Sequence, residues 1–200
     1  HLSAPTASYP VNDMVLDITV TPPVIYVSAG HAYYGGGVLW SSSDEGTSWT
    51  TLHSGFPSNY LYPLMLDPQN MSTVYVGSDG HGVFKSDDQG ATWTYGGGSA
   101  LARKMGFAQD GTLYMGTEGT GLFRSDDDAA TWANKSVGIA GADVQCAAIA
   151  PSDPNRIYVG WMALNGGGVY RSTDGGLSWE TCPNLPNQRM ISIDVHPTNP

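Results

Sequence analysis

Ser86-Asp87-Asp88-Gln89-Gly90-Ala91-Thr92-Trp93 decides the fold, because it is one of four versions of a single eight-residue box. The others are Ser42-Ser43-Asp44-Glu45-Gly46-Thr47-Ser48-Trp49, Ser125-Asp126-Asp127-Asp128-Ala129-Ala130-Thr131-Trp132 and Ser172-Thr173-Asp174-Gly175-Gly176-Leu177-Ser178-Trp179. Their third residues, Asp44, Asp88, Asp127 and Asp174, follow one another at intervals of 39 to 47 residues. Self-similarity at a period of about 20 to 50 residues marks a solenoid or a propeller. The chemistry of the box is that of a stapled turn. The Asp accepts hydrogen bonds from turn amides, the Gly (Gly46, Gly90, Gly176) takes a positive φ, and the Trp returns to pack between sheets. The third box carries Ala129 in place of Gly, at an expected cost of about 1 kcal/mol for a Cβ in the left-handed region.

Outward from each box the same order repeats. A Gly-x-Gly and an apolar-aromatic stretch precede it, as in Gly80-His81-Gly82-Val83-Phe84 and Gly119-Thr120-Gly121-Leu122-Phe123, with Gly35-Gly36-Gly37 and Gly166-Gly167-Gly168 matching. Before those lie short β-type runs at 24–27, 74–76, 113–115 and 157–159, and further upstream a second set at 14–20, 61–66, 105–108 and 144–150. Turn residues separate the runs. Four strands per repeat near this period describe a β-propeller blade better than a solenoid coil or a sandwich. The expectation is an all-β propeller of four-stranded antiparallel blades at about 14–52, 60–96, 101–135 and 144–181, after an N-terminal segment at 1–13. Residues 190–200 open a fifth blade, and the whole reads as part of a larger propeller, since propellers close on themselves to cover their edges.

Composition agrees. The chain has 26 Gly, 13 Pro and 13% charged residues, which favours short strands and tight turns. Eighteen acidic against eight basic residues give a net charge of −10, which opposes nucleic acid and anionic lipid as partners. No apolar run approaches the ~18 residues of a membrane span, so no membrane insertion is expected. His31, His81 and His196 lack the spacing of a zinc site, and the Gly-rich runs lack a phosphate-loop Lys, so neither metal nor cofactor is predicted.

The four boxes and their spacing resemble the Asp-box family, also called bacterial neuraminidase repeats, over residues 14–179. The resemblance implies sialidase-like propellers, among them sortilin-type receptors, photosystem assembly factors and xyloglucanase-type endoglucanases. In that family the boxes lie away from the active site, which assigns Asp44, Trp49, Asp88, Trp93, Asp127, Trp132, Asp174 and Trp179 to architecture. Sialidases of the family carry an arginine triad. Here Arg124 and Arg171 hold the position of Lys85 before a box, and no Arg-Ile-Pro segment appears. The endoglucanases carry a catalytic carboxylate between the second and third strands of a blade. The corresponding positions here are Asp79 and Glu118, in neighbouring blades, either turn residues or an acid and base for a glycosidic bond. Tyr33, Tyr34 and Trp161 fall in the same loop series and either stack on sugar rings or fill an interblade seam.

Cys146 and Cys182, in one repeat, form a disulfide or remain two free thiols. The triplets Asn70-Met71-Ser72 and Asn134-Lys135-Ser136 are glycosylation sequons and point to an extracellular or cell-surface protein. The function expected from these features is a non-enzymatic secreted scaffold that binds protein or carbohydrate. The alternatives are a xyloglucanase-like glycoside hydrolase and a subunit that self-assembles by strand exchange.

Overall fold

A blade needs four strands joined by hairpins, and turn residues at the required intervals supply them. The computed structural model describes residues 10–30, 36–58, 60–98, 100–139, 143–150, 152–163, 166–185, 188 and 190–196. Its strands form four four-stranded antiparallel sheets, each in chain order, and the described residues contain no helix. The chain divides into two compact units, His1–Ser99 and Ala100–Pro200.

The first unit holds two blades. Blade 1 is β1 (Val11–Asp17), β2 (Val24–Ala29), β3 (Gly37–Ser42) and β4 (Thr50–Phe56); blade 2 is β5 (Leu61–Asp67), β6 (Asn70–Ser78), β7 (Gly82–Ser86) and β8 (Thr94–Tyr95). β1 begins at Val11, three residues ahead of the apolar run at 14–20, because backbone pairing of Val11 with Ala29 fixes its start. β2 reads as an unbroken apolar run because both of its faces are covered. Tyr26 joins Leu39, Phe56, Leu61, Leu64, Leu66, Val74 and Val76 in the core between blades 1 and 2. Val27 and Ala29 turn the other way and pack with Val38 and Trp40.

The second unit repeats the plan. Blade 3 is β9 (Ala102–Phe107), β10 (Leu113–Thr117), β11 (Gly121–Ser125) and β12 (Ala133–Asn134); blade 4 is β13 (Asp143–Ala150), β14 (Asp153–Ala163), β15 (Gly166–Ser172) and β16 (Glu180–Thr181). Tyr114 and Leu122 of blade 3 meet Val144, Ile157 and Val159 of blade 4 in its core.

Within each unit, close approach of the next segment depends on a small residue at one register position of the second strand, Ser28 in the first unit and Gly116 and Gly160 in the second. In the first unit Ser28 Oγ donates to the Leu61 carbonyl at 2.7 Å. In the second, a Cβ on Gly116 would stand 2.6 Å from Val144 Cγ1, and one on Gly160 2.7 Å from Met190 Cβ. Residues 190–193 thus take on blade 4 the place that Val144 takes on blade 3. They occupy the position of a fifth blade's opening segment without forming a ladder, since no described residue supplies a paired neighbour.

The box does what its composition requires. In blade 2 Ser86 Oγ donates to Asp88 Oδ1 at 2.8 Å and accepts from Gly90 N at 2.7 Å. Asp88 also accepts from Thr92 N at 2.8 Å and from Thr92 Oγ1 at 2.6 Å. The same four bonds recur at Asp44, Asp127 and Asp174. Two consecutive residues after the Asp are left-handed, Gln89 (φ 59°) and Gly90 (φ 92°) in blade 2, and Asp128 (φ 55°) and Ala129 (φ 70°) in blade 3. Ala129 therefore accepts the strained position. The box also grips the preceding blade: a Cβ on Gly90 would stand 2.8 Å from Leu52 Cδ1, and Trp93 meets Phe56 edge-on at 5.3 Å. Trp179 Nε1 donates to the Lys135 carbonyl of blade 3 at 2.8 Å.

Hydrogen bonds from the Ser48, Thr92 and Ser178 hydroxyls, and then from their backbone N–H groups, hold Asp44, Asp88 and Asp174 at about 2, below the ordinary 3.8. A carboxyl depressed by folding stabilises the native state fully above its unfolded value and loses that contribution as pH falls through the folded one. The melting temperature is therefore expected to drop between about pH 4 and pH 2. Asp88→Asn should melt lower at pH 5 and fall less steeply over that window; parallel curves for the two proteins would count against the staple. Gly160→Val should displace residues 190–193 and cost about 1–3 kcal/mol by overpacking. Its check is hydrogen exchange, which should accelerate across 190–196, and unchanged exchange there would rule out the seat.

Candidate functional site

Each first strand slips register close to its start, and the slip builds a rim. The ladder shifts between Val11 and Asp13 in blade 1, Leu61 and Leu64 in blade 2, Ala102 and Lys104 in blade 3, and Val144 and Cys146 in blade 4. Such β-bulges bend a strand and re-aim a side chain, and they favour rims and sites. Asn12, Tyr62, Arg103 and Gln145 therefore hold equivalent bulged positions. Opposite lie the hairpin tips between second and third strands, tied to the first strand by one recurring backbone bond. Gly30 N donates to Pro10 O at 3.4 Å, Asp79 N to Tyr60 O at 3.1 Å and Glu118 N to Leu101 O at 3.0 Å. Asp79 and Glu118 thus stand at the same place in blades 2 and 3, each in its own unit.

In the first unit Asp79 is half-buried, and no described side chain hydrogen-bonds its carboxylate. The tip turns at Gly80 (φ 71°) and Gly82 (φ 75°), where a Cβ on Gly82 would overlap the Gly97 and Gly98 carbonyls. Exposed His81 places Nδ1 2.8 Å from the Asp79 carbonyl oxygen. Tyr60 and Tyr62 lie on the same rim with ring centroids 6.4 Å apart at 66°. Sequence reasoning missed this pair because Tyr62 falls inside the apolar run at 61–66 and Tyr60 immediately precedes it. Tyr33 and Tyr34 lie outside the described residues.

In the second unit Arg103, the bulge residue of β9, makes an ion pair with Glu118. Thr117 Oγ1 braces the tip, donating to the Gly121 carbonyl at 2.7 Å. In blade 4 the bulge residue Gln145 donates to Asp143 Oδ1 at 2.6 Å. Trp161, expected in the loop, is inside β14 opposite Gly168, because the Gly166-Gly167-Gly168 run extends the β14–β15 ladder. Its ring stacks on Tyr170 at 5.4 Å and 26°, so one of its faces is already taken by the blade. Arg124 and Lys85 pair with Asp126 and Asp87 two residues on, which gives both an architectural use.

The disulfide alternative is overturned: Cys146 and Cys182 are free thiols. Cys146 is on β13 and Cys182 follows β16, the two edges of one sheet with β14 and β15 between. Three strand spacings separate them, about 14 Å, against a disulfide Cα separation of about 7 Å at most.

No protein-family model matches the chain. Among curated proteins it is similar to a xyloglucanase of Acetivibrio thermocellus, 28% identical over 200 residues, covering 93% of the chain and 21% of the relative. It is 34% identical over 163 residues to a probable oligoxyloglucan-reducing end-specific xyloglucanase of Neosartorya fischeri, covering 78% of the chain and 16% of that protein. The chain thus spans only about a fifth of these relatives. Among solved structures it resembles the GH74 xyloglucanase from Xanthomonas campestris, with a TM-score of 0.70 and 20% identity over 88% of the chain and 31% of that structure. It also resembles the Dos1 propeller, with a TM-score of 0.67 and 15% identity over 96% and 51%. These likenesses establish the fold as a partial β-propeller. The curated relatives also correct the expectation of a non-enzymatic scaffold, because they are xyloglucanases along nearly the whole chain.

Both members of the Arg103–Glu118 pair keep about a third of their side-chain surface in solvent, 31% and 40%. Arg103→Met is accordingly expected to lower the unfolding free energy in urea by less than about 1 kcal/mol. A loss several times larger would mean that the pair is a structural strut.

Proposed function

We propose that the chain is part of a glycoside hydrolase, built on Asp-box propeller blades, that cleaves a β-linked glucan of the xyloglucan kind. The observation that carries this reading is the similarity to xyloglucanases along almost all of the sequence. The rim geometry supports it. Hydrolysis of a glycosidic bond needs one carboxyl to protonate the departing oxygen and one carboxylate to take a proton from the attacking water, while the bond from C1 to that oxygen breaks. Asp79 in the first unit and Glu118 in the second are each proposed as a candidate for one of these roles. Both ride on hairpin tips clear of the cores, where a polymer can reach them. No described side chain hydrogen-bonds the Asp79 carboxylate, and Glu118 is oriented by Arg103. Tyr33, Tyr34 and the free face of Trp161 are the proposed sugar contacts from the sequence.

The same reading places the protein outside the cell, where such a glucan is found. Asn70 and Asn134 are both exposed, at a hairpin turn and on an outer strand, and are proposed carriers of N-linked glycan. Strand exchange through 190–200 has less support, since Met190 and Ile193 pack against blade 4 of the same chain at Gly160.

The test is release of reducing ends from xyloglucan by the protein, with carboxymethyl cellulose and a sialyl-lactose as comparison substrates. Asp79→Asn and Glu118→Gln should each lower kcat by about a hundredfold or more without moving the melting temperature. Undiminished turnover in both variants would remove them from the catalytic site, and absence of xyloglucan turnover by the wild type would remove the activity itself.

A further inference from the structure

We infer that Asp13 is the positioning residue of the blade 2 rim: its carboxylate, acting from blade 1 through the Leu64 amide, sets where the segment 60–64 and the Asp79 tip stand. The inference rests on the reading of Asp79 as a working carboxyl group and adds the residue that holds it in place. A bond, a suspended segment and a recurring register position carry it.

The bond comes first. Asp13 is half-buried, and its carboxylate accepts from two main-chain amides, Met14 N on Oδ1 and Leu64 N on Oδ2, both at 2.9 Å. The Leu64 amide points toward blade 1, and β5 is the edge strand of its sheet, so no strand of that sheet can pair with it. A main-chain donor in this position needs an acceptor from elsewhere. Asp13 supplies one, and an ionised acceptor makes the stronger bond.

A second observation is what hangs on that bond. Ser28, which faces Asp13 in the ladder of blade 1, donates from Oγ to the Leu61 carbonyl at 2.7 Å. The β5 bulge at Tyr62 and Pro63 is therefore strung between two side chains of blade 1, Ser28 at one end and Asp13 at the other. A bulge is where a strand changes its bend. One hold would leave the bend free, whereas two fix it. The tip is tied to the same stretch by main chain, since Asp79 N donates to the Tyr60 carbonyl at 3.1 Å and Leu61 pairs with Ser78.

The register position also recurs. The residue after the bulge faces the small residue of the second strand in three blades: Asp13 opposite Ser28, Lys104 opposite Gly116 and Cys146 opposite Gly160. In blade 4 Cys146 Sγ donates to the Met190 carbonyl at 3.5 Å, again main chain of the next segment. The position thus looks onto the incoming first strand, and its side chain decides how that strand is held. A thiol bonds weakly there, and the Lys104 ammonium, a donor alone, cannot take an amide. Of the three, Asp13 alone offers a charged acceptor, and it does so in the blade beside Asp79.

The experiment compares the wild type with Asp13→Leu, which keeps a similar shape without an acceptor, and Asp13→Asn, whose amide oxygen still accepts from Leu64. Amide exchange is read by NMR at Leu64 and Asp79, and initial rates on xyloglucan are read in parallel. Asp13→Leu should speed exchange at both amides by about tenfold or more, the scale of losing a bond to a charged group. It should lower kcat by about tenfold with KM little changed, as misplacing a reacting group does. Asp13→Asn should recover most of both. Equal loss of turnover in the two variants overturns positioning and makes Asp13 a proton-transfer group. Unchanged exchange at Leu64 and Asp79 in Asp13→Leu overturns the inference whatever the rates. So does an undiminished kcat in Asp13→Leu when Asp79→Asn is impaired. Absence of turnover by the wild type, or full turnover in Asp79→Asn, overturns the hydrolase reading of Asp79 instead, and the exchange rates then decide the hold by themselves.

Discussion

Two faces of every blade must be covered, and coverage depends on how near the next blade can come. That distance is set at one register position of the second strand. Ser28 is small and hydrogen-bonds the Leu61 carbonyl; Gly116 and Gly160 have no side chain where Val144 and Met190 press in. A larger residue at any of these points would hold the neighbouring blade off and open a gap along the core, and gaps cost dispersion contacts on both sides. Architecture and site share this constraint, because the first strands seated there continue directly into the bulges that build the rim.

The box complements the seat from the opposite end of the blade. Its Ser, Asp and Ser/Thr form a closed set of hydrogen bonds, so the turn keeps its shape without help from the rest of the sheet. The turn then delivers Gly90 onto Leu52 and Trp179 onto the Lys135 carbonyl. One end of a blade is thus secured by absence of a side chain and the other by a large one. Hairpin tips such as Ser78-Asp79-Gly80-His81-Gly82 stand at the end of the third strand away from the box.

The fold was readable in the sequence because box residues act through short side chains on their own backbone, so residue identity determines geometry. Asp88 and Thr92 need no distant partner to form their bonds. The equivalence of Asp79 and Glu118 was readable for the same reason, being fixed by counting from the box. What escaped was whatever depends on pairing between strands. The bulges at Asn12, Tyr62, Arg103 and Gln145 exist only relative to the second strand, and no local residue pattern announces them. Tyr60 and Tyr62 were consequently passed over as strand residues, and Trp161 was placed in a loop that the ladder reclaims. The choice between disulfide and free thiols was open for the same reason: two cysteines in one repeat are close in sequence, yet three strand spacings apart across a sheet.

The four-residue reach of each staple bears on how the chain acquires its structure. Bonds between Asp88 and Thr92, or between Asp174 and Ser178, close loops so short that their entropy cost is small, and antiparallel hairpins on either side add contacts nearby in sequence. Rates of folding rise as the mean separation of contacting residues falls. The staples and hairpins of a repeat can therefore close locally, while its cores form only when one blade meets the next.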